Sequence, residues 1–387
     1  MMQPPKFFLS YSRKDVEDLA IIARILMIHG IKTWQDINSL GSGLTEAEIR
    51  KAIQENCTGL VFYSTDDSLK APMIRNVELK VAEEKFLQDK NFHIVPIFKS
   101  GIEASNIALN GCLKTKISDF NGTIVRDNDL MAAAQRAASL VLKNLSFPTK
   151  DFLPVGVVSY QKNSDDVALN LDFTPYFQEG LPLEKTWNRE FVPAIASLKE
   201  SLLSKRITNL RLFSRAHLSF GLMFGYIFRD RTGFVIEVEQ INKPNREIWS
   251  TQAKEESTML TIECTPVTNF GVKDIVVNLN IISDDNNSFS NYVQKSGLRY
   301  RALIEAKPSS YPFLISNGQA VVIARELTNK IKEAHGTYNT NVVHLFAAVP
   351  FGLAVIIGHQ LNACGRIQCY EFDKAKREYS PSVTLEN

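Results

Sequence analysis

The sequence predicts an α/β protein with a flavodoxin-like parallel sheet in its first part and two similar Rossmann-like halves in its second. Over residues 1–145, short apolar strand signals alternate with amphipathic helical patterns, which is typical of a parallel sheet covered by helices. Further on, residues 217–225 and 344–352 both follow the pattern H-L, five residues, F-G. Such internal similarity indicates a repeated unit.

Composition fits an ordinary globular protein of more than one domain. The chain has 387 residues, of which 44% are hydrophobic and 22% charged, and this length predicts two or three domains. A proline-containing segment of mixed polarity at residues 144–156 is typical of a linker, so we predict domains at 1–147 and 148–387. With a formal charge of +2 no overall basic field is available to hold DNA, although a local patch for a small anion remains possible.

Cysteine and histidine spacing argues against metal and disulfide chemistry. The five cysteines form no CxxC pair and the histidines no HExxH motif, so we expect reduced thiols, a cytoplasmic location and no bound metal. Residues 342–358 are strongly apolar but contain His344, Pro350 and Gly352. We interpret them as a buried strand followed by a helix, and expect no membrane span.

The first elements follow from local signals. Residues 7–10 form an apolar strand, and residues 16–29 have helical spacing of apolar positions. We expect Asp15 to cap this helix and Gly30 to end it. Residues 31–34 then form the second strand.

The remaining elements of this part continue the alternation. Thr45 and Glu48 have the spacing of a capping box, which predicts a helix over 46–56. The further predictions are strands at 59–64 and 93–98 and helices at 73–87 and 130–145.

A polar triplet follows the first strand. Ser10, Tyr11 and Ser12 come where ligands bind in open parallel sheets, at the carboxyl ends of the strands. We therefore predict that Ser10 and Tyr11 line a site, the alternative being a surface turn with Asp15 as a helix cap. For Arg13 we favour the surface turn.

Three segments of this part resemble the TIR domain family. "FFLSYSRKD" (7–15) resembles its first box, "GIKTWQDINSLGSG" (30–43) its second, and "YSTDDSLKAPMIRNVEL" (63–79) the segment that holds a glutamate in enzymatic members. That glutamate is Glu78 here. The aromatic residue that many members have four positions earlier is replaced by Ile74.

The resemblance implies cleavage of the bond between nicotinamide and ribose in NAD+, which is then a substrate and not a cofactor. Glu78 is the implied catalytic residue, with Glu83 and Glu84 as rivals on the same predicted helix. For Trp34 and Asp36 a role in a loop over the site competes with packing and turn formation. The predicted substrate-binding residues are Ser10, Tyr11, Trp34 and Asp36.

The second part contains two similar units. Each is predicted as a strand, a glycine-containing turn, a helix and a second strand, the second strands beginning after Gly233 and Gly365. Additional strands are predicted at 274–282 and 301–306, and a helix at 318–335.

Residues 155–387 resemble the SAVED domain, a fused relative of the CARF nucleotide-sensing fold. The resemblance implies a bacterial receptor for cyclic oligonucleotides, here of the cyclic tri-adenylate type, in antiphage defence. We expect the ligand between the two halves, with phosphates at helix N-termini. The candidate contacts, each with a competing role in the core or at the surface, are Phe224, Gly225, Phe351 and Gly352 at the two turns, Arg229 and Arg231 for phosphates, and Trp249 for base stacking.

Together these features predict an NAD+ hydrolase that a cyclic oligonucleotide activates, with self-association into an oligomer or filament. The alternative is a non-catalytic TIR scaffold that recruits partners through the loop at 36–44. A flavodoxin-like metabolic enzyme is a third possibility, but the sequence has no glycine-rich phosphate loop to support it. We interpret His217 and His344 as hydrogen-bonded histidines at strand edges.

Overall fold

A computed structural model describes nine segments of the chain, which are residues 5–34, 45–102, 113–115, 119–148, 151–161, 166–242, 245–268, 271–282 and 287–386. The chain divides into two compact units. The first comprises Met1–Thr149 with Asp166–Asp172 and Glu200–Lys205, and the second comprises Lys150–Asp165, Phe173–Lys199 and Arg206–Asn387.

The first sheet has the strand order β2-β1-β3-β4-β5, and all its pairs are parallel. Its strands are β1 Lys6–Ser10, β2 Lys32–Trp34, β3 Gly59–Ser64, β4 His93–Phe98 and β5 Thr123–Ile124. This order is flavodoxin-like, as predicted. It reverses direction between β1 and β3, and ligands bind at the carboxyl ends of strands at such a switch point.

The α-helices described beside this sheet are α1 Val16–Ile28, α2 Glu46–Lys51, α3 Asp66–Lys70, α4 Leu79–Gln88 and α5 Leu130–Asn144. The capping box of α2 is confirmed, because Thr45 N donates to Glu48 Oε2 at 2.7 Å and Glu48 N donates to Thr45 Oγ1 at 3.3 Å. The predicted cap of α1 is wrong. Asp15 makes no capping bond, since its carboxylate instead accepts from Thr65 Oγ1 at 2.7 Å.

Two further sheets follow, with orders β10-β9-β8-β6-β7 and β11-β13-β12-β14-β15-β16. Their strands are β6 Leu153–Val158, β7 Leu169–Asp172, β8 Asn209–Arg215, β9 Val235–Asn242, β10 Asn245–Ser250, β11 Thr261–Pro266, β12 Ile275–Asn280, β13 Ala302–Lys307, β14 Val342–Ala348, β15 Arg366–Asp373 and β16 Glu378–Leu385. In both sheets a central strand, β8 or β14, has parallel neighbours on each side and an antiparallel hairpin beyond one of them. The prediction of two Rossmann-like halves is confirmed.

The helices of this part are α6 Glu184–Thr186, α7 Val192–Ser204, α8 Leu218–Ile227, α9 Asn287–Ser296, α10 Asn317–Tyr338 and α11 Phe351–Gln360. Helix α8 follows β8 as α11 follows β14, so the repeat aligns Leu212 with Leu345. The predicted alignment of His217 with His344 is wrong, because His217 precedes α8 whereas His344 lies inside β14.

The predicted strand and helix within residues 342–358 are confirmed as β14 and α11. Among the residues described, no helix combines the length and the apolar character needed to cross a bilayer.

Candidate functional sites

A cavity of about 330 Å³ lies at the carboxyl end of β1 in the first unit. Its walls include Tyr11, Ser12 and Arg13 after β1, and Ile74 and Glu78 from the segment before α4. The site therefore combines a hydroxyl-rich turn, a guanidinium and a carboxylate at the switch point of the sheet.

Glu78 occupies a special position in the backbone. It is the last residue of a π-helical turn, Ile74–Glu78, that leads into α4, and such turns often occur at functional sites. The Glu78 residue is buried, with 8% of its surface exposed, and it lines the cavity.

The two rival glutamates lie elsewhere. Glu83 is buried, and its carboxylate accepts from Lys114 N at 3.0 Å and from Thr115 N at 2.5 Å. Glu84 is exposed on α4. Of the three candidates, Glu78 is the one whose side chain the structure brings to the cavity.

The predicted substrate-binding residues divide into three groups. Tyr11 lines the cavity. Ser10 is buried at the end of β1 and does not contribute to the wall, while Trp34 stacks at 5.0 Å on Phe8, which does. Asp36 lies outside the described residues.

Arg13 lies in the 3₁₀ turn Arg13–Asp15 that follows Ser12, and it is exposed, as the surface-turn interpretation expects. It also lines the cavity, which the local sequence pattern did not indicate.

A polar cluster joins the carboxyl ends of β3 and β4 to α1. The carboxylate of Asp18 accepts from Tyr63 OH at 2.8 Å and from Lys99 Nζ at 3.1 Å. Burial, followed by the bond to Asp18, raises the pKa of Tyr63, and the bond to Asp18 raises the pKa of Lys99. Both groups therefore keep their protons at neutral pH and stabilise this end of the sheet.

A second cavity, of about 790 Å³, lies in the second unit between the two halves. It is lined by residues at the carboxyl ends of β8, β9, β12, β14 and β15 and at the N-termini of α8 and α11. Helix N-termini attract anions, because their backbone N–H groups point outwards and the helix dipole is positive there.

Aromatic side chains form one wall of this cavity. Phe177 stacks on His217 at 4.2 Å, and Tyr160 contacts the same imidazole edge-on at 5.7 Å. Burial lowers the pKa of His217 to about 4, so the ring is neutral at pH 7. Its Nδ1 lies 2.7 Å from Ser159 Oγ, and this contact fixes the ring plane.

Polar groups of the wall are largely held in place by other side chains. Glu239 is buried between Arg215, at 2.9 Å, and Arg246, at 3.0 Å. Gln240 Oε1 accepts from Gly352 N at 2.8 Å.

Of the predicted ligand contacts, Phe351 lines this cavity. Trp249 is fully buried and packs against Gly352, where an added Cβ would lie 2.7 Å from the indole ring. Neither Trp249 nor Gly352 belongs to the wall.

The other predicted contacts are not at the cavity. Phe224 and Gly225 are buried inside α8, so the turn predicted there is wrong. Arg229 and Arg231 follow the carboxyl end of α8, and the Arg229 guanidinium lies 4.4 Å from the Tyr226 ring. The sequence interpretation did not assign Tyr160, Phe177 and His217 to the cavity wall. Each of them is an aromatic or histidine residue that follows a strand within a few positions, and this pattern could have indicated them.

Comparison with protein families agrees with this geometry. Residues 7–128 match the TIR domain family, and residues 193–385 match SAVED, the SMODS-associated and fused to various effectors sensor domain. The chain is a TIR–SAVED protein.

A curated relative is CD-NTase-associated protein 4 of Enterobacter hormaechei subsp. hoffmannii (strain UCI 50), which is 23% identical over 205 residues. The match covers 51% of the TIR–SAVED chain and 40% of that relative, so it spans less than half of the relative's length.

Two solved structures of an Acinetobacter baumannii Cap4 SAVED/CARF-domain containing receptor, with the cyclic trinucleotides 2'3'3'-cAAA and 3'3'3'-cAAA, have a similar fold. Each superposes with a TM-score of 0.50 and covers 89% of this chain and 86% of its own, at 14% and 15% identity respectively.

Proposed function

We propose that this TIR–SAVED protein is an NAD+ hydrolase that a cyclic oligonucleotide activates, an effector of CBASS antiphage defence. The pairing of a TIR domain with a SAVED domain fits such an effector. The observation that carries the enzymatic part is the position of Glu78, buried at the wall of the cavity beside β1.

The chemistry needs little more than a positioned carboxylate. Nicotinamide is cationic in NAD+ and leaves as a neutral ring, so its departure requires no general acid. Positive charge develops on the ribose in an oxocarbenium-like transition state, as in glycoside hydrolysis. A carboxylate beside that ring stabilises the charge, and a water molecule then bonds to the ribose C1′ and releases a proton. In this proposal Glu78 has this role, while Tyr11 and Arg13 orient the substrate.

The larger cavity is the proposed receptor site for a cyclic tri-adenylate-like ligand. Its volume of about 790 Å³ falls within the range of roughly 300–1,000 Å³ that ligand pockets have. The Phe177–His217 stack offers a surface for a base, because aromatic faces bind bases largely irrespective of sequence. The Cap4 structures of similar fold contain cyclic trinucleotides, which supports this class of ligand.

Activation is proposed to occur through self-association. The proposed contact is between the TIR domains of two copies of this chain. Head-to-tail contacts of this kind extend into rings or filaments.

The test is to incubate the purified protein with NAD+ and a panel of cyclic oligonucleotides while measuring nicotinamide release and sedimentation. We expect release only with a matching ligand, faster sedimentation in its presence, and a specific activity that rises with protein concentration. Ligand binding without NAD+ loss at any concentration would favour the alternative, a non-catalytic TIR scaffold. A fully active ligand-bound monomer would contradict the proposed activation.

A further inference from the structure

The two halves of the receptor cavity end in equivalent strands that differ in charge. The register pairs Leu212 with Val238 in one sheet and Leu345 with Cys369 in the other, which makes Gln240 on β9 equivalent to Glu371 on β15. In sequence, the ends of these strands continue as QINK (240–243) and EFDK (371–374). Two amides in the first half thus correspond to two carboxylates in the second, and a lysine ends both.

Each of these side chains reaches the helix of the opposite half. Glu371 Oε2 accepts from Ser219 N at 2.7 Å, and Gln240 Oε1 accepts from Gly352 N at 2.8 Å. Ser219 and Gly352 are the second residues of α8 and α11. Glu371 and Gln240 are both buried, at 7% and 6% exposure, and both line the cavity.

The two ends of the cavity are therefore equivalent in shape and different in charge. The carboxylate of Glu371 offsets the positive end of the α8 dipole, whereas the neutral amide of Gln240 leaves that of α11 in place. Burial raises the pKa of Glu371, and the N–H groups of Ser219 and Leu218 oppose that shift.

Other charged side chains lie near the α8 end of the cavity. Lys374 and Asp373, which have opposite charges, are both close enough to His217, the residue before α8, to influence its titration. Glu239 is paired with two arginines.

We propose that this cavity is polarised and that Gln240 and Glu371 determine ligand orientation. An anionic phosphate binds at the N-terminus of α11, and the α8 end, with its carboxylate, receives hydrogen-bond donors of a base or sugar. This inference rests on the proposed function only in assuming that the cavity accepts a phosphate-containing ligand.

The decisive experiment exchanges the charge between the two ends. The variants are Glu371→Gln, Gln240→Glu and the double exchange Gln240→Glu/Glu371→Gln, which keeps the net charge of the wild-type protein. The full chain is measured by thermal unfolding with and without millimolar inorganic pyrophosphate, and by calorimetric titration with cyclic tri-adenylate at low salt.

We expect pyrophosphate to raise the unfolding midpoint of wild type and Glu371→Gln, but not that of Gln240→Glu or the double exchange. For cyclic tri-adenylate, Gln240→Glu and the double exchange should bind about tenfold more weakly or worse, and Glu371→Gln no more weakly than wild type. Without ligand, a carboxylate at position 240 should not lower the midpoint, because it lies at a helix N-terminus. A purely structural role of Gln240 predicts a lower midpoint instead.

The inference would be overturned if the double exchange were stabilised by pyrophosphate and bound cyclic tri-adenylate as wild type does. It would also be overturned if pyrophosphate stabilised none of the proteins. If the pyrophosphate pattern holds while no cyclic oligonucleotide binds wild type, the polarised cavity stands and the proposed ligand class fails. The two ideas are thus tested separately.

Discussion

Gly225 of α8 and Gly358 of α11 occupy equivalent positions, and each lies against the backbone of the opposite helix. A Cβ added at Gly225 would be 2.1 Å from Val355 O, and one added at Gly358 would be 2.2 Å from Leu222 O. The close approach of these two helices therefore depends on both glycines. Because α8 and α11 both begin at the receptor cavity, this contact also fixes the distance between the two ends of the site.

Gly225→Ala should destabilise the protein despite the better helix propensity of alanine. The added methyl meets a backbone carbonyl that cannot rotate away, and overpacking of this kind costs about 1–3 kcal/mol. Gly336→Ala, in α10 with nothing within 4 Å of the new Cβ, is the matched control and should stabilise by up to about 1 kcal/mol. Denaturant unfolding compares the two, and an equal effect of both changes would contradict the packing account.

Tyr160→Ala should weaken cyclic oligonucleotide binding with little loss of stability. Tyr160 is 59% exposed, lines the cavity and contacts His217, and the loss of one stacking surface costs about 1–3 kcal/mol. Arg231→Ala is the control, because Arg231 follows the far end of α8, and it should bind as wild type does. Calorimetric titration measures the affinity of each variant for the cyclic oligonucleotide. A loss in Arg231→Ala with none in Tyr160→Ala would restore the sequence-based assignment of phosphate binding.

His29 should make the first unit less stable as the pH falls. Its ring is fully buried with Nδ1 2.7 Å from Ile25 O, and burial lowers its pKa to about 4. The unfolded chain takes up a proton at His29 near pH 6.5 and the folded chain does not. The free energy of unfolding is therefore unaffected by His29 above that pH and decreases as the pH falls from 6.5 towards 4. The expected contribution is roughly 2 kcal/mol between pH 7 and pH 5.

The measurement is the free energy of unfolding at pH 7, 6 and 5 for wild type and His29→Gln. Glutamine keeps a donor for Ile25 O but does not titrate, so the free energy of unfolding of the variant should depend less steeply on pH. An equal pH dependence of the unfolding free energy in the two proteins would show that the pKa of His29 is not lowered in the folded state.

Much of the first unit was predictable because its signals are local. Short apolar runs indicated the strands, and the four residues from Thr45 to Glu48 form a complete capping box. Asp15 was misinterpreted for the opposite reason, since its partner Thr65 lies 50 residues further along the chain. The π-helical turn that positions Glu78 has no local sequence signal.

In the second unit Gly225 was predicted to lie in a turn. It lies instead on α8, four residues after Gly221, and α11 approaches the helix at both glycines. Sequence alone does not distinguish a glycine that permits a turn from one that permits close helix packing. That error shifted the repeat and placed Phe224 at the site instead of in the core.

The cavity wall was the least predictable feature because parallel pairing assembles it from distant segments. Tyr160 follows β6 and His217 follows β8, and these strands are neighbours through the pairing of Val158 with Arg215. The position after the first strand indicated Tyr11 and the family resemblance indicated Glu78, but only the fold places Arg13 at the same cavity.

The catalytic role of Glu78 is tested by measuring NAD+ consumption by the variants Glu78→Gln and Glu84→Gln, each with saturating cyclic oligonucleotide. Both changes remove one carboxylate charge while retaining side-chain shape, but Glu78 lines the cavity and Glu84 is exposed on α4. Glu78→Gln should lose about a hundredfold or more of the activity and bind the oligonucleotide as wild type does, while Glu84→Gln should retain both. Near-wild-type NAD+ turnover by a folded, ligand-bound Glu78→Gln protein would contradict the account.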